Sequence, residues 1–577
     1  MDKAKEYDYD VIVVGSGMSG GHAAMEFTKK GYKTLVLDRG KSIEHGNYET
    51  EGLAPWQIPY RDKKSHHMKV RQPLQSTKGV CKPSTKHHYI DDIDYPYEQE
   101  KPFKWFRSAK VGGKSLLWAR HSYRWNKWDF KANAKDGNGV PWPIGYEDIE
   151  PWYDYVEPFI GIAGLEEDIP QLPNSKFQPP MGLNAVEQMV RENLLKKGGA
   201  PGLPLARFTQ GRVAHLTKPT QEQMDIGRGP CQRRDQCNRG CSWSGFYSSV
   251  GGSLVVAKNT GNMTLQSDAY VLEVLYDKES DDDSGKATGV RYVNTKTLEQ
   301  TTVTARVVFM CASTLATLQI LMNSTSKYWP EGIGNKSGCL GHYVMDHIGG
   351  GGATGHKIGG LKDAYYTGRA IGSMYLPRST NLTEEDSKDT DYVRGFGYQG
   401  NNGRQRLPRS GIGKNYKEGV RDYSDTWFMT LQGFGEMIPT FDNHVYLHKT
   451  KKDKFGMALL VTSVEYTDNC KKMVIAMASV GERILYAGGM DKVEENLSKA
   501  EGIPGDAIHE MGGAPMGSDP SSSYLNKWNQ SHEVPNLFIT DGAAYNSQSC
   551  VNPSLTFMAM TARAVDYADK QIKLGKI

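Results

Sequence analysis

Apolar residues fall in two rhythms along this chain. Asp8 to Val14 is a short run of β-branched residues, which predicts a buried strand. A helical stretch follows to Lys30, Gly31 ends it, and Thr34 to Leu37 predicts a second strand. Asp38 stands at the end of that strand, so the first forty residues read as a βαβ unit. Residues 41 to 105 are rich in Lys, His, Tyr and Pro and show little periodicity. They predict a long surface excursion, a lid or a partner contact.

Residues 145 to 200 read as helical. Met263 to Met310 is strand-rich, broken by a polar turn at Glu279 to Gly285 that reads as a solvated hairpin tip. Val307 to Cys311 predicts a buried strand leading into a helix near Ala312 to Asn323. From Gly349 to Gly481 the pattern favours strands at Tyr392–Tyr398, Trp427–Phe434, Asn443–Leu447 and Ala458–Glu465. These predict a second domain on a largely antiparallel sheet. Glu482 to Ala500 then reads as mostly helical, interrupted at Gly488-Gly489, and the last seventy residues return to the first domain.

Composition narrows the function more by exclusion. A net charge of +4 over 577 residues points to neither nucleic acid nor an anionic membrane. No run approaches ~20 apolar residues, so no transmembrane segment is expected. Met1 to Glu6 leads straight into the first strand without an apolar leader. The expected compartment is therefore the cytoplasm, or the periplasm if a signal-bearing partner carries the chain. Eight cysteines do not suggest a disulfide scaffold. The 31 Tyr and 11 Trp combine apolar faces with polar tips, which suits a sugar-like ligand.

Gly15-x-Gly17-x-x-Gly20 follows a strand and opens a helix, the setting in which backbone amides approach a pyrophosphate. Asp38, 18 residues beyond Gly20, is placed to accept hydrogen bonds from a ribose. The motif does not separate FAD from NAD. Near the other end lies His509-Glu510-Met511-Gly512-Gly513-Ala514-Pro515-Met516-Gly517. Oxidising an alcohol needs a base of near-neutral pKa within reach of the hydroxyl, and His509 among small residues fits that role. Asn552, before Pro553 and a predicted helix, is the candidate to hold the substrate oxygen. Each has a plainer reading: a satisfied buried histidine, and a helix cap. Cys231-x5-Cys237-x3-Cys241 places three thiols close together with mostly polar spacers. Spacing alone leaves soft-metal binding and unpaired thiols both open.

Taken in order, Val13 to Gly17, Val111 to Ser115, Cys311 to Ser313, Leu340 to His347, His509 to Pro520 and Asn536 to Gly542 resemble a glucose–methanol–choline (GMC) oxidoreductase. The resemblance runs nearly the full length, weakly across 41–105 and much of the second domain. It implies an α/β fold (α+β overall): a Rossmann-like FAD-binding domain and a second domain on a largely antiparallel sheet. The discontinuous FAD-binding domain would take 1–45, 106–130, 205–348 and 505–577, with the cysteine loop 231–241. The substrate-binding domain and the excursion would take 46–105, 131–204 and 349–504.

It further implies that Gly15, Gly17 and Gly20 contact the diphosphate, Asp38 the ribose and Val271 the adenine region by its backbone. Gly113, Ser115, Asp541 and Asn552 would approach the flavin, and His509 with Asn552 would form the catalytic pair. The acid after the second strand is more often Glu in the family, a minor departure. Relatives similar to pyranose oxidase bind FAD covalently through a histidine in the segment resembling Val111 to Trp118. Leu117 occupies that position, so non-covalent FAD is expected.

The three cysteines resemble those holding a 3Fe–4S cluster in bacterial sugar dehydrogenases of the family, among them glucoside 3-dehydrogenase catalytic subunits. Arg233, Arg234 and Arg239 would offset its charge, though a solvated basic loop is the simpler account. That resemblance implies oxidation of the third ring hydroxyl of a glycoside, with a small helper subunit and a haem subunit as partners. Gln432 is an expected substrate contact. The rivals are an oxygen-using oxidase of the pyranose-oxidase type, a non-catalytic flavoprotein, and a nicotinamide-linked dehydrogenase, which would need a second dinucleotide site.

Overall fold

The computed structural model describes residues 7–277, 285–361, 372, 374–388, 390–405, 411–423, 425–497 and 502–577. Its first layer is a seven-stranded sheet. Met263–Gln266, Thr34–Leu37, Tyr9–Val14 and Gln300–Met310 lie side by side and parallel. Val11, Ile12 and Val13 are wholly buried, as expected where helices cover both faces of a parallel sheet. Ala269–Tyr276 and Ala287–Asn294 form a hairpin against the first half of Gln300–Met310. Leu537–Ile539 returns from the far end of the chain to pair, parallel, with Val308 to Met310. The acidic turn expected at Glu279 to Gly285 lies outside the described residues except for Gly285.

Close packing at the first βα turn explains its glycines. Gly15 has φ +98°, and a Cβ there would meet the Cys311 carbonyl oxygen at 2.3 Å. A Cβ on Gly20 would stand 1.9 Å from the carbonyl oxygen of Gly15. Gly20 therefore lets helix Met18–Lys29 lie directly on the strand end.

The second layer is a four-stranded antiparallel sheet in the order Phe396–Arg404, Thr426–Gly435, Ile348–Ile358, Lys492–Asn496. Helix Asp468–Ala487 lies across it. Strand Ile348–Ile358 was not foreseen, because Gly349 to Gly352 carry no side chains to reveal an alternation. Those glycines have a packing reason: a Cβ on Gly351 would meet the Val474 carbonyl oxygen at 2.2 Å.

Three expectations need correction. Asn443–Leu447 and Ala458–Glu465 do not join this sheet. His444–Lys452 and Ala458–Ser463 pair with each other, and Ala458–Ser463 also pairs with the short strand Glu98–Gln99. The helix expected at Glu482–Ala500 begins at Asp468 and ends at Ala487. Its buried Cys470, Met473, Val474, Met477, Ile484 and Leu485 recur at helical spacing. The next segment, Lys492–Asn496, is a polar strand with one buried residue, Val493. Finally, 41–105 is more than a surface excursion: Met68, Cys81, Ile90, Phe103 and Trp105 are buried.

Among the described residues, no helix is long and apolar enough to cross a membrane. Substituting Gly20→Ala forces a methyl against the Gly15 carbonyl, a clash at the upper end of overpacking costs, about 3 kcal/mol. The expected outcome is a lower melting temperature, read by thermal denaturation.

Candidate active site

A single cavity of about 470 Å³ runs from the first βα turn to the second sheet. Gly15, Gly17, Asp38 and Val271 line one end, Gly113, Ser115 and Asp541 the middle, and Gln432, His509 and Asn552 the other end. Residues almost five hundred positions apart thus meet in one space. Gly20 is the exception: it does not line the cavity, and its place is the helix–strand contact described above.

The nucleotide end suits a dinucleotide. Helix Met18–Lys29 has no side-chain cap and no acid in its first turn, so its N-terminus is left to an anion. A Cβ on Gly17 would find only open space nearer than 4.0 Å. Asp38 accepts hydrogen bonds from the Ser16 amide at 3.0 Å and the Gly40 amide at 2.7 Å, and also from the Ser16 hydroxyl. Burial raises its pKa. The Ser115 hydroxyl donates to the Gly112 carbonyl at 2.6 Å, so its side chain fixes the glycine turn. Asp541 accepts from Thr317 Oγ1 at 2.6 Å and from the Ala543 amide at 3.0 Å, and burial pushes its carboxyl up to about 6. Lys114, also in the cavity wall, pairs with Glu510 at 2.6 Å.

At the other end, His509 and Asn552 stand together. Asn552 Nδ2 lies 3.3 Å from His509 Nε2. Asn552 precedes helix Ser554–Lys573, with Pro553 at its cap position. Gln399 Nε2 donates to Asn552 Oδ1 at 2.5 Å, which turns the amide NH₂ toward the histidine. Gln399 and Gln432 are register partners on adjacent strands, so both amides face the cavity.

Behind His509 lies a residue the sequence reading passed over. His347 Nδ1 is 3.1 Å from His509 Nδ1, and the two rings cross edge to face at 82°. Asp346 beside it accepts from the backbone amides of Gly505, Ala507 and His509 at 2.8, 3.0 and 2.9 Å. The pKa of His509 is held well below 6.5, first by burial and then by its neighbours His347 and Lys114. The signal for His347 was the Asp-His pair closing Leu340 to His347, a segment noted above only for its resemblance.

The cysteine loop departs from expectation. Cys231, Cys237 and Cys241 are free, partly buried thiols. They line a shared cavity of about 20 Å³, room for roughly one water. Among the described residues, no three His, Cys, Asp or Glu side chains are grouped so as to hold a metal ion. The expected 3Fe–4S site therefore does not fit the residues as they stand. Of the nearby arginines, Arg234 pairs with Glu51 and also reaches Cys241 Sγ at 3.8 Å, and Arg239 donates to the Leu53 carbonyl at 2.6 Å.

Comparison with known proteins agrees with this architecture. The N-terminal model of the GMC oxidoreductases matches residues 9–348, and the C-terminal model matches 439–561. The chain is 26% identical to 2-methyl-1,2-propanediol dehydrogenase from Mycolicibacterium austroafricanum, over 97% of this chain and 95% of that one. It is 24% identical to the fructose dehydrogenase large subunit of Gluconobacter japonicus, over 98% of each. Paromamine 6'-oxidase from Streptomyces fradiae is also 24% identical, over 96% of this chain and 90% of the relative. Among solved structures, pyridoxine 4-oxidase from Mesorbium loti superposes with a TM-score of 0.57 at 12% identity, covering 97% of this chain and 99% of its own, a likeness of fold. The chain belongs to the GMC oxidoreductase family, an FAD-binding α/β enzyme that oxidises CH–OH groups.

Proposed function

We propose that this enzyme is a dehydrogenase that oxidises a secondary hydroxyl of a sugar or glycoside, at the third ring carbon, to a ketone. The observation that carries the proposal is the 3.3 Å pair of His509 Nε2 and Asn552 Nδ2 in the cavity that begins at the dinucleotide turn. A hydroxyl placed between them donates to the imidazole nitrogen and accepts from the amide. His509 removes the hydroxyl proton, and Asn552 steadies the oxygen as it becomes a carbonyl. The FAD, bound without a covalent link because Leu117 stands at the attachment position, supplies the acceptor for the hydride leaving carbon. Gln399 and Gln432 offer donors and acceptors without net charge, which suits a neutral polyol.

The relatives named for fructose and paromamine support a carbohydrate substrate. One of them is named as a large subunit, which supports a smaller partner subunit; a haem-bearing electron acceptor is carried by the family resemblance alone. A 3Fe–4S cluster on Cys231, Cys237 and Cys241 is supported by their spacing and opposed by their present arrangement, so no step depends on it. Iron analysis of anaerobically purified protein decides: about three irons per chain, lost when all three become serine, would establish it, and an iron-free active enzyme would remove it. The second reading, an oxidase, draws on the relatives named as oxidases. Peroxide formed in step with substrate consumed would favour it.

Replacing His509→Ala is expected to keep the flavin and lower turnover by roughly 10²–10⁴-fold. Unchanged turnover would reject His509 as the base. The depressed pKa of His509 gives a second expectation. A base works when unprotonated, so kcat/KM should stay flat as pH falls through 6.5 and decline only below it. An acid limb centred at or above 6.5 would contradict the burial argument.

A further inference from the structure

His347 does not line the cavity and is 1% exposed, yet it sits directly behind the proposed base. Its two ring nitrogens have different partners. Nε2 lies 3.0 Å from the carbonyl oxygen of Ser549. A carbonyl only accepts, so the hydrogen of this contact belongs to Nε2. Burial holds the ring neutral, with a pKa of about 4. A neutral imidazole with hydrogen on Nε2 has a bare Nδ1. That nitrogen faces His509 Nδ1 at 3.1 Å, so His509 must bring the hydrogen. The Nε2 of a neutral His509 is then bare, and it is this atom that faces Asn552 and the cavity.

Every hydrogen in this chain points the same way. Gln399 donates to Asn552, Asn552 to His509, His509 to His347, and His347 to Ser549. The end of the chain is anchored by geometry. Ser549 has φ +58°, an uncommon backbone state that aims its carbonyl at His347, and it lies three residues before Asn552. One short loop therefore supplies both the amide partner of the substrate oxygen and the carbonyl that orders the two imidazoles. Asp346 adds the backbone half by accepting the His509 amide.

We propose that His347 is a positioning residue that holds His509 in its Nδ1–H tautomer, so that Nε2 is presented to substrate as a proton acceptor. Without the bare Nδ1 of His347, the His509 hydrogen is free to move to Nε2, where it blocks proton uptake. This deepens, and rests on, the assignment of His509 as base.

The test uses flavin-bound enzyme carrying ring-¹⁵N histidine, with long-range ¹H–¹⁵N spectra and His509→Asn to assign the signal. In the parent enzyme, His509 is expected with a protonated Nδ1 and a bare Nε2. His347→Phe is expected to shift that signal toward the Nε2–H form. Turnover should fall by roughly 10²-fold or more, with KM and flavin content little changed. His347→Asn places an amide oxygen where Nδ1 was, and is expected to restore both the Nδ1–H signature and most of the turnover. An Nε2–H tautomer in the parent enzyme would overturn the proposal even if His347→Phe retains no flavin. An unchanged His509 signal in a folded His347→Phe would overturn it as well. If His509→Ala keeps its turnover, the base assignment itself fails. If His509→Ala is inactive while His347→Phe leaves the tautomer alone, only the role of His347 fails.

Discussion

One buried carboxylate underlies the geometry of the active site. Asp346 is fully buried, and its two oxygens accept amide hydrogens from Gly505, Ala507 and His509. Burying an unpaired carboxylate costs several kcal/mol. Three backbone donors offset that cost only while the loop 505–509 keeps its shape. The loop is thus fixed to the start of strand Ile348–Ile358, and through it to the second sheet. His347, the next residue, fixes the imidazole that this loop carries. Backbone and ring of His509 are held by two neighbours in sequence, so small shifts between the domains move base and support together.

Two uncharged amides stand beside His509 and Asn552 in the cavity wall. Gln399 and Gln432 are opposed across two antiparallel strands, and an amide can meet a hydroxyl as donor or acceptor. Lys78 and Asp506 also border the cavity, but they pair with each other at 3.3 Å. Recognition by neutral groups suits a ligand whose hydroxyls differ in direction more than in kind.

Much of the fold was legible in sequence where side chains announce their surroundings. The β-branched runs at Asp8–Val14 and Val307–Cys311 mark central strands, and their glycine-rich sequel marks the nucleotide turn. Strand Ile348–Ile358 was not legible, since its glycines record the closeness of helix Asp468–Ala487 instead of an apolar alternation. The start of that helix was missed because its apolar residues follow a strand-rich stretch and only their spacing separates the two. At the site, His509 and Asn552 could be named from their small-residue and pre-helix contexts. His347 was marked only by the Asp-His pair of its segment and Gln399 not at all, because what they contribute is the direction of a hydrogen bond, a property of three-dimensional placement. The cysteine triplet shows the converse: a spacing that resembles a metal site, on a loop whose thiols share room for about one water.

Strand Leu537–Ile539 closes the nucleotide sheet by lying beside Val308 to Met310, and Asp541 at its end completes the middle of the cavity. The ribosome delivers these residues long after the βα turn at Gly15 has emerged. Synthesis proceeds at about 5–20 residues per second, so strand Gln300–Met310 waits on the order of ten seconds or more for Leu537–Ile539. During that interval the edge of Gln300–Met310 is uncovered on the side where Leu537–Ile539 will dock. The nucleotide sheet is consequently completed only when nearly all of the chain has been made.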